Sequence, residues 1–137
     1  MKKSIFGTLL QLESVFLILT ASVSFLYNEK DWWVFMLCAT LSFVIGAITI
    51  SIGKWKARHN NEDQGKYFSR ADSFLVVTLT WVLFSIIGMI PYIVLENMSV
   101  TDAMFEAMSG FTTTGASVIS DVDGLSNGLK FWRCITQ

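Results

Sequence analysis

FEAMSGFTTTGASV, residues 105–118, decides how the remainder of this chain is read. A short amphipathic pattern runs into three consecutive threonines and a glycine, Thr112 to Gly115, and then gives way to polar loop. Just upstream, Ser99 followed three residues later by Asp102 matches a capping box, the signature of a helix start. Met104, Met108 and Phe111, with Phe105 beside them, make an apolar stripe at helical spacing. The predicted helix, residues 100–111, is about 18 Å long at 1.5 Å per residue, well short of the roughly 30 Å of a bilayer's hydrocarbon core.

A bilayer is the relevant solvent on composition alone. Of 137 residues, 53% are hydrophobic and only 15% charged, and the mean hydropathy is +0.53. A soluble domain of this length needs more charge for its surface. The net charge of −1 leaves no basic face for nucleic acid and no broad acidic one. Cys38 and Cys134 lie far apart, with no C-x-x-C pair and a single histidine, so neither a zinc site nor a disulfide framework is indicated. Both read as packing residues, since free cysteine behaves as a small hydrophobe.

Three long apolar segments precede the deciding stretch. The first runs from Ile5 to Tyr27 and carries Gln11 and Glu13; about 20 residues suffice to cross. Its basic start at Lys2 and Lys3 and its TASVS run also suit a secretory signal peptide, but Glu13 interrupts the apolar core and the run is long, so a retained span is the reading adopted. A polar hairpin, YNEKD at 27–31, leads to the second span, Trp32–Gly53, which has no charged side chain. Trp32 and Trp33 at one end and Trp55 beyond the other fit the aromatic belts of a bilayer. The hydrophilic connection Lys54–Asp72 holds Lys54, Lys56, Arg58, Lys66 and Arg70, which with Lys2 and Lys3 gathers seven of the ten basic residues on one side. The positive-inside rule makes that side cytoplasmic, with the 27–31 hairpin outside. His59 in this connection reads as a solvated loop residue. The third span, Ser73–Leu95, is bounded by Asp72 and Glu96 and runs outward; Pro91 near its end removes a backbone donor and kinks or ends the helix.

The helix over 100–111 therefore starts outside, dips in and stops near mid-membrane. Backbone that leaves a helix at such depth must be buried in protein or line water, because lipid cannot satisfy its polar groups. The residues placed there are Thr112, Thr113, Thr114, Gly115, Ala116 and Ser117. Threonine suits extended backbone, and Gly115 permits dihedrals closed to other residues. Carbonyls of such a strand can replace the water around a cation, and the partly negative C-terminus of the preceding helix favours the same charge. The hydroxyls of Thr112 to Thr114 either add ligands or brace the strand. An external loop with a short helix and an ordinary Thr-Gly turn stands beside this reading as the alternative on physics alone. Residues 117–127 return outward, with Asp123-Gly124 read as turn chemistry rather than Asp121 and Asp123 as a cation-drawing mouth. Gly128–Gln137 opens a fourth span running inward, with Lys130 and Arg133 near its outer end and Arg133 placed to pair with Glu106 or a filter carbonyl. The closing KFWRCITQ stops within an apolar pattern, which suggests the N-terminal portion of a longer protein.

FEAMSGFTTTGAS followed by GLKFWRCITQ resembles the first pore region of the TrkH family of bacterial potassium-uptake proteins, members of a superfamily with KtrB and the plant HKT transporters. The close match covers residues 102–137, and the extra pair of spans before it agrees. By this resemblance the filter falls on Thr113, Thr114, Gly115 and Ala116, with Thr112 adjoining, and Gly115 is the glycine associated with potassium preference. A potassium ion is the implied bound species. Potassium channels proper carry a TVGYG-type filter, whereas this sequence has only the first glycine, so fewer carbonyl sites line up. The resemblance also implies four linked units of span, pore helix and span, homodimerisation, a cytoplasmic nucleotide-binding TrkA ring, and residence in a bacterial inner membrane with the N-terminus cytoplasmic.

The expected fold is an all-α membrane protein: transmembrane helices plus a re-entrant pore helix and an extended filter loop. Residues 1–72 form two accessory spans with a basic cytoplasmic loop. Residues 73–137 form the first pore unit, with span 73–95, pore helix 100–111, filter 112–117 and the start of the next span at 128–137. The expected function is potassium uptake through backbone carbonyls; the rival is a non-conducting membrane scaffold or assembly subunit. An enzyme built on Glu13 as an intramembrane acid is not favoured, because no second catalytic group accompanies it at useful spacing.

Overall fold

Residues 2–59 and 70–137 are described by the computed structural model, and among them every regular element is a helix. In chain order these are α1 (Lys2–Leu26), α2 (Trp32–His59), α3 (Arg70–Gly88), α4 (Ile90–Glu96), α5 (Val100–Phe111) and α6 (Asn127–Thr136). Residues 60–69, the middle of the basic connection expected over 54–72 and including Lys66, lie outside the described residues. So do the side chains of Lys2, Lys3, Lys56 and Arg70. Three stretches, Ile5–Leu26, Trp32–Trp55 and Phe74–Glu96, are long and apolar enough to cross a membrane. Their outer faces leave Val15, Leu19, Leu37, Phe43, Val44, Ile48 and Leu75 exposed. Each is about half exposed, so in water it forgoes roughly half of the ~1.5–3 kcal/mol that full burial contributes, which a bilayer restores.

α1 and α2 pair as an antiparallel hairpin because both carry small residues where they cross. A Cβ built on Gly46 sits 2.8 Å from the Gly7 carbonyl oxygen, and one built on Gly7 sits 2.6 Å from that of Gly46. Backbones approach this closely only at glycine, the small-residue crossing favoured in membranes. One turn on, the buried Ser42 Oγ lies 2.8 Å from both the Leu10 carbonyl and Glu13 Oε2. Glu13 is thus accommodated by helix pairing. Its Oε1 has no partner among the described residues, and Glu13 lines a cavity of about 130 Å³ together with Phe16, Phe84, Phe111, Trp132, Ile135 and Thr136.

The third span is interrupted only locally: Met89, between α3 and α4, keeps helical dihedrals (φ −78°, ψ −21°), and its N–H still donates to Ser85 O at 3.0 Å. Pro91, the second residue of α4, has no N–H to return to Ile87. The interruption is covered from α6, whose buried Trp132 donates Nε1–H to the Gly88 carbonyl at 3.3 Å. Gly88 also admits the Phe111 ring, since a Cβ there would lie 2.8 Å from its edge. Phe84, Phe111 and Trp132 pack in sequence, the first pair tilted and the second edge-on, with ring centroids 5.4 and 6.0 Å apart. This aromatic seam joins α3, α5 and α6.

α6 sets the depth of α5. At its first turn Gly128 packs on Ser24 and Phe35 of the α1–α2 hairpin, and near its last residue Thr136 packs on Gly110 of α5. Positions 128 and 136 are about 12 Å apart along a helix axis. The C-terminal end of α5 therefore lies about 12 Å along the α6 axis from the level where hairpin and α6 meet.

Candidate functional site

The N-terminus of α5 is fixed by Ser99, whose extended backbone (φ −62°, ψ 151°) lets Oγ accept from the Asp102 N–H at 3.2 Å. Aspartate is one methylene shorter than the usual glutamate, and its Oδ2 accepts from the Ser99 hydroxyl at 2.8 Å.

At the other end the helix closes in a Schellman motif. The Thr113 N–H donates to Gly110 O at 2.8 Å and the Thr114 N–H to Ser109 O at 3.0 Å. Thr113, at the position glycine or asparagine normally fills, has φ +54°. A β-branched residue in the left-handed region costs about 1–3 kcal/mol and marks a site where surrounding structure over-determines the backbone. Gly115 follows at φ +72° with open space around its Cα. A trans peptide holds N–H and C=O antiparallel. Because the N–H groups of Thr113, Thr114 and Gly115 point back to Ser109 and Gly110, the carbonyls of Thr112, Thr113 and Thr114 point away from α5. Among the described residues none donates to them. The Thr112 and Thr114 hydroxyls, 2.8 Å apart, brace the turn against each other.

A single buried carboxylate holds what comes next. Glu106 Oε1 accepts from Ser117 Oγ (2.6 Å), Val118 N–H (2.6 Å) and Ile119 N–H (3.3 Å). Its Oε2 faces Arg133 Nη1 at 3.4 Å, and Arg133 also donates to Ser117 Oγ at 3.1 Å. Ser109 Oγ donates to the Ala116 carbonyl at 2.6 Å. The loop after Gly115 is thus tied to α5 and α6 by charge-assisted bonds, the strong class of hydrogen bond.

The residues expected to form the filter, Thr112 to Ala116, are contiguous and exposed in this chain, but they are not equivalent. Threonine was expected to suit an extended strand, whereas Thr113 is left-handed because the chain must reverse out of a helix there. Ala116 differs in that its carbonyl already accepts from Ser109. The expected Arg133–Glu106 pairing is present. Ser109 was not singled out from sequence, and Ser117 only as the last residue of the expected filter 112–117; each becomes informative only beside the group it bonds. Glu106 carried a signal, a carboxylate on the otherwise apolar face of a short helix. His59 stacks on Trp55 at 5.3 Å rather than sitting free in a loop. Cys38 is buried, and Cys134 is free and exposed.

The comparisons with known proteins point one way. The family model described as TrkH, cation transport protein, matches residues 39–137. The Trk system potassium uptake protein TrkG of Escherichia coli is 33% identical over 93% of this chain and 25% of its own length. TrkH of Salmonella typhimurium is 34% identical over 97% of this chain and 26% of its own length. The crystal structure of the potassium transporter TrkH from Vibrio parahaemolyticus superposes with a TM-score of 0.79 at 33% identity, covering 98% of this chain and 28% of that one. The chain spans about a quarter of the length of the curated relatives it matches.

Proposed function

This chain belongs to the TrkH family of cation transport proteins, and we propose that its residues 112–116 form one wall of a potassium filter in a potassium-uptake protein. The observation that carries the reading is the row of Thr112, Thr113 and Thr114 carbonyls turned away from the end of the half-length helix α5, which this reading takes to re-enter the bilayer. Carbonyls in such a row exchange for the hydration shell of a dehydrating cation. Ala116 offers its remaining lone pair, and Gly115 lets the chain bend without a side chain near the ion. The negative end of α5 adds to the attraction. Relatives named for potassium uptake support potassium as the cargo. Residues 1–72 are then an accessory pair of spans and residues 73–137 the first of several pore units. The assembled protein is proposed to sit as a homodimer in a bacterial inner membrane, N-terminus inside, with a TrkA-type ring on its cytoplasmic face.

Gly115→Ser in the complete protein tests this. A serine at φ +72° costs about 1–2 kcal/mol if the backbone holds, and the backbone is expected to shift instead. Loss of about 1 kcal/mol of discrimination corresponds to roughly a fivefold rise in the sodium-to-potassium flux ratio. An unchanged ratio in a tracer assay overturns the filter assignment.

A further inference from the structure

We propose that Glu29, in the hairpin between the two accessory spans, is a positioning residue for the filter. The inference rests on the reading of residues 112–116 as the ion-facing wall. α1 ends in its own Schellman motif: the Asn28 N–H donates to Phe25 O at 3.0 Å and the Glu29 N–H to Ser24 O at 3.1 Å, with Asn28 at φ +54°. Asparagine tolerates that conformation, so the backbone of Glu29 is fixed by its neighbour.

The side chain reaches across 98 residues of sequence. Glu29 Oε1 accepts from the Asn127 N–H at 2.7 Å and from Asn127 Nδ2 at 3.0 Å, and Oε2 accepts from the Gly128 N–H at 3.0 Å. A helix start leaves four N–H groups without intrahelical partners. In α6 Glu29 takes those of Asn127 and Gly128 and Ser126 Oγ takes that of Leu129 at 3.4 Å, while the Lys130 N–H makes the first i→i−4 bond of the helix, to Ser126 O at 2.9 Å. A carboxylate at this end also meets the positive end of the helix dipole. Gly128 makes the approach fit, since a Cβ there would lie 2.8 Å from Ser24 Cβ and 3.0 Å from the Phe35 ring.

α6 carries the constraint onward. Between one and two turns below Glu29, its Arg133 meets both Glu106 and Ser117, the groups that hold the loop leaving the filter. The accessory hairpin thus sets the height and rotation of the helix that clamps the filter's exit. Without Glu29, α6 loses its polar tie to the hairpin and keeps only its packing and the Trp132 bond, so the Arg133 guanidinium shifts against Ser117.

The test uses the complete protein with Glu29→Gln, Glu29→Asp and Asn127→Ala, reading the sodium-to-potassium flux ratio beside the apparent KM for potassium and the amount of folded protein. Glu29→Gln loses the charge and one acceptor and is expected to raise the flux ratio twofold to tenfold. Asn127→Ala removes only the Nδ2 bond, keeps the fold and shifts the ratio in the same direction by less; Glu29→Asp partly restores it. In an Arg133→Lys background, Glu29→Gln adds no further change. A merely structural role lowers protein amount and maximal flux but leaves the ratio alone, and a ratio equal to the parent's in both Glu29→Gln and Asn127→Ala overturns the proposal. Gly115→Ser in the same assay separates the two readings. If it changes the ratio and the Glu29 variants do not, the positioning role fails and the filter stands. If none of them changes it, the filter reading fails first.

Discussion

Glu106 concentrates most of the local polar chemistry of this chain in one side chain. Three donors converge on its Oε1 and a guanidinium lies against Oε2. Removing one member of a buried charge pair strands the other, at a cost of about 3–5 kcal/mol, and the two members are not equivalent here. Glu106→Gln strands Arg133 and turns an amide N–H₂ toward donors; it is expected to cost about 3 kcal/mol. Arg133→Gln leaves Glu106 with its serine and backbone donors and is expected to cost roughly half as much, by the scale of a charged hydrogen bond. Denaturation of the complete protein in detergent gives the order, and an equal or reversed one means the donors on Oε1 contribute little. Thr113 is the opposite case, a residue whose conformation is unfavourable in itself. Thr113→Gly removes left-handed strain and adds unfolded-state freedom, terms of about 1 kcal/mol each, so its melting temperature is expected to match or exceed the parent's while filter geometry loosens. Nothing in a run of three threonines announces which of them turns left-handed; that follows from where α5 runs out of core to bury, between Gly110 and Thr112.

Helix ends and helix crossings are where short local signals succeeded and failed. The start of α5 was legible because Ser99 and Asp102 form a cap within four residues. The helical character of α5 was legible from the stripe of Met104, Met108 and Phe111, but Met108 and the neighbouring Phe105 are exposed, and the face that is buried carries Ala103, Glu106, Ala107 and Gly110 instead. The division between α3 and α4 was only half legible. Pro91 signals a disturbance, but the interruption falls at Met89, where Trp132 from a distant helix takes the Gly88 carbonyl. The tie from Glu29 to α6 was illegible, since its partners lie 98 and 99 positions away and no local pattern encodes it. The α1–α2 crossing yields the prediction at this scale. Gly46→Leu forces the backbones apart at a contact already at van der Waals limits, where overpacking costs about 1–3 kcal/mol. It is expected to lower the unfolding midpoint, whereas Gly53→Leu, seven residues along the same helix but half-exposed, is expected to leave it near the parent's. Equal effects at both positions mean the two helices do not depend on that close approach.

Across the whole molecule, sidedness can be argued twice from independent physics. Charge counting puts Lys2, Lys3 and the basic residues of the 54–72 connection on the cytoplasmic side. Packing says something separate: the Glu29–Asn127 and Glu29–Gly128 bonds oblige the hairpin and the first turn of α6 to share one face of the bilayer. Residues 119–126 lead directly into that turn, so they share the face as well. Single cysteines placed by Lys30→Cys, Ser120→Cys and His59→Cys, in a Cys134→Ala background because Cys134 is exposed and Cys38 is not, test both arguments with a membrane-impermeant thiol reagent. Positions 30 and 120 are expected to label from outside intact cells, and position 59 only after the membrane is opened. Labelling of 30 and 120 from opposite faces contradicts the packing, and with it the proposed descent of α5 into the bilayer. Labelling of both from the cytoplasmic face leaves the packing intact but inverts the chain. The carbonyls of Thr112 to Thr114 are then reached from the inside, and the same half-helix opens toward the cytoplasm instead of capturing a cation from the outside.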